Sequence, residues 1–537
     1  MTRRIVSTVV LALTAYTAGI ASAQTFQVQC PTSTITHPNA ANNNSEPAYS
    51  APTNWTPGSG GFVSPNAVNG AIKCQQISGG DGYATMGDGT QTYMFSFGPL
   101  SGLADIANGL PGTQFPNTFN TVDGATLLPG DPATTVSGGG TFTFNGAVGL
   151  TPNLDNGGAI DGHVDVRSIM DVAVMNGNIP APLMAIDEDD EFFLTLSNVG
   201  QIMRPDLFEQ HTVHFHGYPN ASSFYDGVPD ASVAINIGGS FTYYYLAPDA
   251  GTYFWHCHIT PPEHLQMGMV GQIYVRPRQN RVPTNVTLYA ALASQQSDPR
   301  TACNSADIVC TNPLPAGGGN TKTGGFNSTT HTATKMYAYN DGDGSTQYDV
   351  EYPIQIHGFD PNFHFVGMTF NPEGFADMKD KYFLLNGRSY PDTVTRGPIA
   401  TQSADSTNHF AQPLPAVINI PVGGRALLRI SDLDVSEYQT LASLGIPMNV
   451  VGYNAKLLRD QEGANTNYLT NSITLGGGES LDVILDASDT GKYKAGQKFY
   501  LYTPNLDHLA NDAENFGGLM TEVNICSTVN PTTKDCQ

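Results

Sequence analysis

The sequence predicts an all-β chain: two Greek-key β-sandwich domains behind a loop-rich N-terminal segment. Three observations lead to that class. Charged residues make up only 13% of the chain, whereas Gly 57 and Pro 36 supply many turns and leave little room for long helices. Short segments with apolar residues on alternate positions recur between Gly- and Pro-containing turns, the pattern of half-buried strands. These segments fall into two runs, one on each side of residue 280, with no short-period repeat.

Residues 1–23 read as an export leader: Arg3 and Arg4, the largely apolar stretch Ile5 to Ile20, then Ala21-Ser22-Ala23 before Gln24. Thr2-Arg3-Arg4 leaves both the twin-arginine route and the ordinary one open. A secreted or periplasmic location is expected. No later segment holds eighteen uninterrupted apolar residues, so no membrane span is expected. Residues 24–83, rich in Asn, Pro, Ser, Gly and Thr, read as irregular cover or a surface arm. Strands are expected at Thr92–Phe97, Val172–Met175 and Glu191–Leu196, with a long Gly-rich insertion between Leu100 and about Ile160. They are expected again at His211–His216, Ser240–Leu246, Thr252–Trp255 and Met269–Val275. Pro277 then marks a junction, so the arm and first domain span 24–280. The second domain, 281–537, takes the strand-like segments Phe383–Leu385, Ala416–Ile420, Arg425–Ile430, Met448–Val451, Ser480–Leu485 and Lys498–Tyr502, and has no evident metal-binding motif.

The formal charge is −24, and −26 once Arg3 and Arg4 leave with the leader. Nucleic acid and anionic membrane surfaces would repel such a chain, while cationic or neutral reductants would not be repelled. Seven cysteines lie beyond the leader. With Cys257 set aside as a metal ligand, the other six suit three disulfides in an oxidising compartment; closeness in sequence makes Cys303–Cys310 and Cys526–Cys536 plausible, leaving Cys30 for Cys74, although spacing alone does not fix the connectivity.

Six of the 13 histidines fall in two short clusters, His211-Thr-Val-His214-Phe-His216-Gly217 and His256-Cys257-His258-Ile-Thr-Pro-Pro-Glu-His264. On a strand, residues two apart share a face, so His214 pairs with His216 and His256 with His258, while Cys257 faces the other way. Two pockets on opposite faces follow. His211 and His264 with Cys257 supply two imidazoles and a thiolate; Met269, five residues beyond His264, reaches the axial position, with Met267 as its rival. Two histidines, one cysteine and a weak axial methionine are the blue-copper donor set, and thiolate with thioether selects copper over harder metals. The plainer readings are Cys257 in a disulfide and Met269 as core packing.

These segments resemble the copper-binding signatures of multicopper oxidases, in which His-x-x-His-x-His-Gly is followed by His-Cys-His, a later histidine, and a methionine or leucine five residues on. Met175-Asn-Gly-Asn-Ile-Pro180, Asp226-Gly-Val-Pro229 and Ala250-Gly-Thr-Tyr-Phe-Trp255 are similar to the first domain of these oxidases. Phe383-Leu-Leu-Asn-Gly-Arg388 and Pro447 to Ala455 are similar to their non-catalytic middle domain. The resemblance implies cupredoxin-like domains in a two-domain arrangement of laccase or copper nitrite reductase type. It implies a type 1 copper at His211, Cys257, His264 and Met269, and a second centre, type 2 or type 3, at His214, His216, His256 and His258. An external small-molecule or protein donor would give electrons at the first centre, and dioxygen would be reduced at the second.

The chain departs from the pattern in one respect. A trinuclear cluster takes eight histidines; the two motifs supply four, and the family's other two His-x-His pairs are absent from the sequence. Of His37, His163, His331, His357, His364, His409 and His508, only His357 and His364 lie close together. Two alternatives therefore stand beside the oxidase: a nitrite-reductase-like enzyme whose second copper is completed by another subunit of a homo-oligomer, and a non-enzymatic type 1 copper electron-transfer or copper-binding protein.

Overall fold

The computed structural model describes residues 26–53, 55–57, 63–65, 68–122, 144–217, 222–247, 249–295, 329–367, 374–402, 408–460 and 463–537. The expected leader and the Cys303–Cys310 pair lie outside them. Two four-stranded sheets form the first sandwich. One is built from β1 (Ile72–Thr85), β2 (Gln91–Pro99), β4 (Glu191–Gly200) and β6 (Ser240–Leu246), in the order β2-β1-β4-β6. The other holds β3 (Met184–Asp187), β5 (His214–Phe215), β7 (Gly251–His256) and β8 (Val270–Arg276), in the order β3-β8-β7-β5. Inward residues such as Phe97, Leu194, Leu196, Val213, Phe215, Trp255 and Ile273 fill the space between them. Each such side chain removed from water contributes about 1.5–3 kcal/mol.

The second sandwich begins at β9 (Val350–Phe359) and β10 (Tyr382–Leu385) and continues through β11 (Ile418–Pro421), β12 (Arg425–Asp432), β13 (Gln439–Leu444) and β14 (Met448–Tyr453). It closes with β15 (Lys456–Leu457), β16 (Tyr468–Thr470), β17 (Ser472–Leu475), β18 (Ser480–Asp486), β19 (Lys498–Tyr502) and β20 (Met520–Cys526). One sheet runs β10-β9-β12-β18-β14-β15 with β16 also on β14; the other runs β11-β20-β19-β13-β17. The chain is all-β, as its composition predicts.

The two sandwiches share packing. Phe359, Tyr382, Leu384 and Ala455 of the second join the first core. Thr252 Oγ1 donates to Asp482 (2.6 Å), and Gln272 Nε2 donates to the Arg429 carbonyl and Ser431 Oγ (both 2.8 Å). Arg276, at the end of β8, reaches Glu351 on β9 (2.6 Å), which also binds Arg429 (2.9 Å). Disulfides Cys30–Cys74 and Cys526–Cys536 tie the arm to β1 and the tail to β20, and Cys257 is free.

Three local expectations are corrected. Residues 72–83 are not part of an irregular arm: they belong to β1, a buried strand between β2 and β4 whose polar and glycine-rich sequence hides its period. Val172–Met175 is not a strand. Helix α1 (Val166–Ala173) runs into it, capped by the Asp165 side chain, and buries Ile169, Val172 and Ala173 at helical spacing before Met175 adopts positive φ. The stretch after Leu100 carries short helices at Leu103–Ala107 and Pro116–Phe119, and Leu103 packs with Ile169 and Val172.

Candidate metal centres

Both histidine clusters meet on one edge of the first sandwich. His214 and Phe215 pair with His256 and Trp255 across β5 and β7, which aligns the two motifs residue for residue. His211 precedes β5 and is held by two backbone bonds to Ile235. Cys257 follows β7, its N–H donating to the Met269 carbonyl (3.0 Å), and the Met269 N–H donates to the His264 carbonyl (2.9 Å). His264 lies on helix α2 (Pro261–Gln266) between these partners.

On the inner side, His211, Cys257 and His264 are at most 1% exposed, and their donor atoms lie within 4.8 Å of one another. Both imidazoles turn Nδ1 to the sulfur, at 3.9 Å for His211 and 3.4 Å for His264. The Thr212 N–H points at the sulfur from 3.5 Å, a backbone donor suited to a thiolate. Burial, aided by the neighbouring ring of His264, holds His211 well below the usual histidine range. Burial alone takes His264 down to about 3, and burial pushes the Cys257 thiol up to about 11. The pocket thus offers two uncharged imidazoles and a thiol in a dry site, a soft donor set that fits copper and would give up its thiol proton on metal binding. His211 Nε2 is buried without a partner. Met267 and Met269 are both buried in the same core cluster as Cys257; the backbone bonds place Met269 directly beside Cys257 and His264, whereas the Met267 N–H bonds back to Glu263.

On the opposite side, His214, His216 and His256 bring their nitrogens within 4.8 Å of one another. The His258 ring joins them, with its centroid 5.2 Å from that of His214. His214 Nδ1 donates to the Asp226 carbonyl (2.6 Å) and His256 Nδ1 to the Cys257 carbonyl (2.6 Å), which makes each Nε2 the acceptor nitrogen of its ring. The Nε2 atoms of His216 and His256 face each other at 2.9 Å. Burial, then the neighbouring His214 and His258 rings, lowers His216 to about 4; burial, then His216, lowers His256 well below its ordinary value. Imidazoles converging in this way suit a divalent metal. Beyond them opens a cleft of about 570 Å³ lined by His216, His256 and His258 on one wall and by Asp434, Glu437 and Glu479 of the second sandwich on the other.

His357 and His364 join neither group. Each donates Nε2–H to Gln266, His357 to its backbone carbonyl and His364 to its side-chain oxygen, both at 3.0 Å. Thr212, Gln266 and the Asp226 carbonyl carry no sequence signal beyond their place near the motifs. The opposite cleft wall comes from a segment more than 170 residues away from His258 in the chain.

The same strand pair of this sandwich thus aims two imidazoles and a thiol inward and further imidazoles outward, the layout of a candidate metal-binding domain. Residues 161–280, the stretch that carries both histidine clusters, match the family model for multicopper oxidases. A multicopper oxidase of Talaromyces pinophilus is 33% identical over 120 residues, 22% of this chain and 18% of that protein. A copper-containing nitrite reductase of Rhizobium meliloti is 35% identical over 109 residues, 19% of this chain and 26% of that protein. The matched stretch thus spans under a third of either relative's length. A blue copper oxidase from Nitrosomonas europaea superposes with a TM-score of 0.45 at 17% identity over 84% of this chain and 85% of that one. No described helix is long and apolar enough to cross a membrane.

Proposed function

We propose that this chain is an exported copper oxidoreductase of multicopper oxidase type that takes electrons from an external reductant and passes them to dioxygen. The observation that carries the reading is that His256-Cys257-His258 contributes to both donor groups: the sulfur belongs to the inner group and its two neighbours to the outer one. Copper, when bound, supplies one-electron redox chemistry at both places. His211, Cys257 and His264 would hold the ion at the inner site, with Met269, whose backbone bonds set it beside both Cys257 and His264, as a further weak donor. Cys257 gives electrons a covalent path to the outer imidazoles. His214, His216, His256 and His258 form the oxygen-reducing site, and Asp226 and the Cys257 carbonyl fix the tautomers of His214 and His256. The Asp434, Glu437 and Glu479 carboxyls line the cleft opposite the imidazoles, where they can relay protons from solvent.

A nitrite-reductase-like reading is favoured by one feature, the compact group of three imidazoles, which suits a single ion. Copper counting with electron paramagnetic resonance separates the readings. Four coppers per chain support the oxidase, about two the nitrite-reductase-like enzyme, and about one an electron carrier. Cys257→Ser should abolish intense visible absorption, whereas His214→Ala with His258→Ala should leave the colour and stop oxygen consumption. Full turnover in the double variant would sink the oxidase reading.

A further inference from the structure

Gln266 stands at the centre of the segment that carries His264 and Met269. It is fully buried, and every polar group of its side chain is taken by the second sandwich. Its Oε1 accepts from the Asp360 N–H (3.1 Å) and from His364 Nε2 (3.0 Å), its Nε2 donates to Asp380 Oδ1 (2.5 Å), and its carbonyl accepts from His357 Nε2 (3.0 Å). Leu265, next to it, packs on Leu433 of the second sandwich. The first sandwich holds this segment by the Cys257 N–H bond to the Met269 carbonyl and by burying Met267 and Met269 in its core, while the Met269 N–H closes the segment on His264.

We infer that the second domain positions the mononuclear centre: the His357, His364, Asp360 and Asp380 cradle holds Gln266, and through it fixes the His264–Met269 ligand segment against Cys257. The inference rests on the reading of His264 and Met269 as copper ligands. The physical reason is that a short helix of six residues has little stability of its own, so the position of His264 follows whatever grips that helix. Three bonds to a buried amide lock both rotation and translation of the loop. Leaving either amide group unmatched in that pocket would carry a desolvation cost, which keeps the loop in register with the second domain. Gln266 is therefore a positioning residue, and the two histidines that look like spare ligands in the sequence serve it.

The test uses His364→Phe, which removes the N–H while keeping a flat ring stacked on Phe359, where the native rings lie 5.2 Å apart. In the metal-free chain, hydrogen exchange at the Met269 and Cys257 amides should accelerate about tenfold, the effect of losing one buried hydrogen bond, with the second-domain core strands unchanged. After loading with copper(II), the sulfur charge-transfer bands and the reduction potential should shift. His364→Gln, which restores a donor, should return them toward the native values. Gln266→Leu should reproduce the His364→Phe spectrum, and the exchange data on His364→Phe stand should Gln266→Leu not fold. A lower melting temperature with unchanged exchange at residues 257 and 269 and an unchanged copper spectrum would overturn the inference. If the wild-type chain takes up no copper at these residues, the ligand reading falls, and the exchange result on the metal-free chain still decides whether Gln266 anchors the segment.

Discussion

Gly478 lies in the turn between β17 and β18, with φ +89°, directly against the outer histidine group. A Cβ added there would stand 2.9 Å from His216 Nδ1 and 3.0 Å from its Cε1. Ordinary contact begins at 3.4 Å, so the ring would have to retreat by about 0.5 Å. Metal–ligand distances tolerate about 0.2 Å, so that retreat exceeds what a site can absorb, and it also disturbs the 2.9 Å approach of His216 to His256. Gly478→Ala additionally costs about 1–3 kcal/mol of backbone strain. Gly496→Ala separates the two effects, because Gly496 has φ +87° and nothing within 4 Å of its would-be Cβ. Both variants should lose similar stability to urea. Only Gly478→Ala should lose metal at the outer group, read as copper per chain and as the paramagnetic signal of that centre, with the blue absorption retained. Equal outer-site copper in the two variants would show that His216 does not need its observed position, and the reasoning fails.

Two further outcomes concern the contact between the sandwiches. Burial would raise the Glu351 carboxyl, but the guanidiniums of Arg276 and Arg429 hold it well below its ordinary value of 4.5. Its stabilisation is therefore complete above about pH 4.5 and is lost as pH falls toward the folded value. Glu351→Gln should cost about 3–5 kcal/mol at neutral pH, since it removes the carboxylate shared by two guanidiniums and leaves Arg429 only Asp482 at 3.7 Å, and should flatten the acid side of the stability profile; an unchanged profile counts against the lock. Asp380 shifts the other way: burial first, then the Asp434 carboxylate, raise it from 3.8 to about 8. The folded chain thus holds a proton that the unfolded chain releases, and stability drains away as pH rises from about 3.8 to about 8. Asp380→Asn should gain on the wild type steadily over that window in urea titrations, and parallel curves would contradict the assignment.

The chemistry of the inner and outer groups was legible because it depends on donor identity and on the two-residue alternation of a strand. Both survive in any fold that pairs the two motifs, and His214 opposite His256 is that pairing. The corrected elements show where the signal ends. β1 escaped because an interior strand flanked on both edges reads by tolerance of burial rather than by alternation; its Gly79 is needed where the His211 ring comes so near that a Cβ would meet Cδ2 at 2.6 Å. Val172–Met175 reads as a strand in the sequence because four apolar residues in a row satisfy either period, and only Ile169 and the Asp165 cap upstream mark helix α1.

By itself, then, the sequence determined the all-β class and which side chains could bind a soft metal on which face of a strand; it gave the export leader as an expectation and made the pairs Cys30–Cys74 and Cys526–Cys536 plausible, and the structure forms both bridges. Tertiary structure alone decided that His357 and His364 serve Gln266, and that Gly478 and Asp434 face His216 across a cleft. The reason is geometric. Alternation along a strand is a local property written every two residues, whereas the approach of two sandwiches is set by the packing of whole surfaces, and no spacing within either segment encodes it.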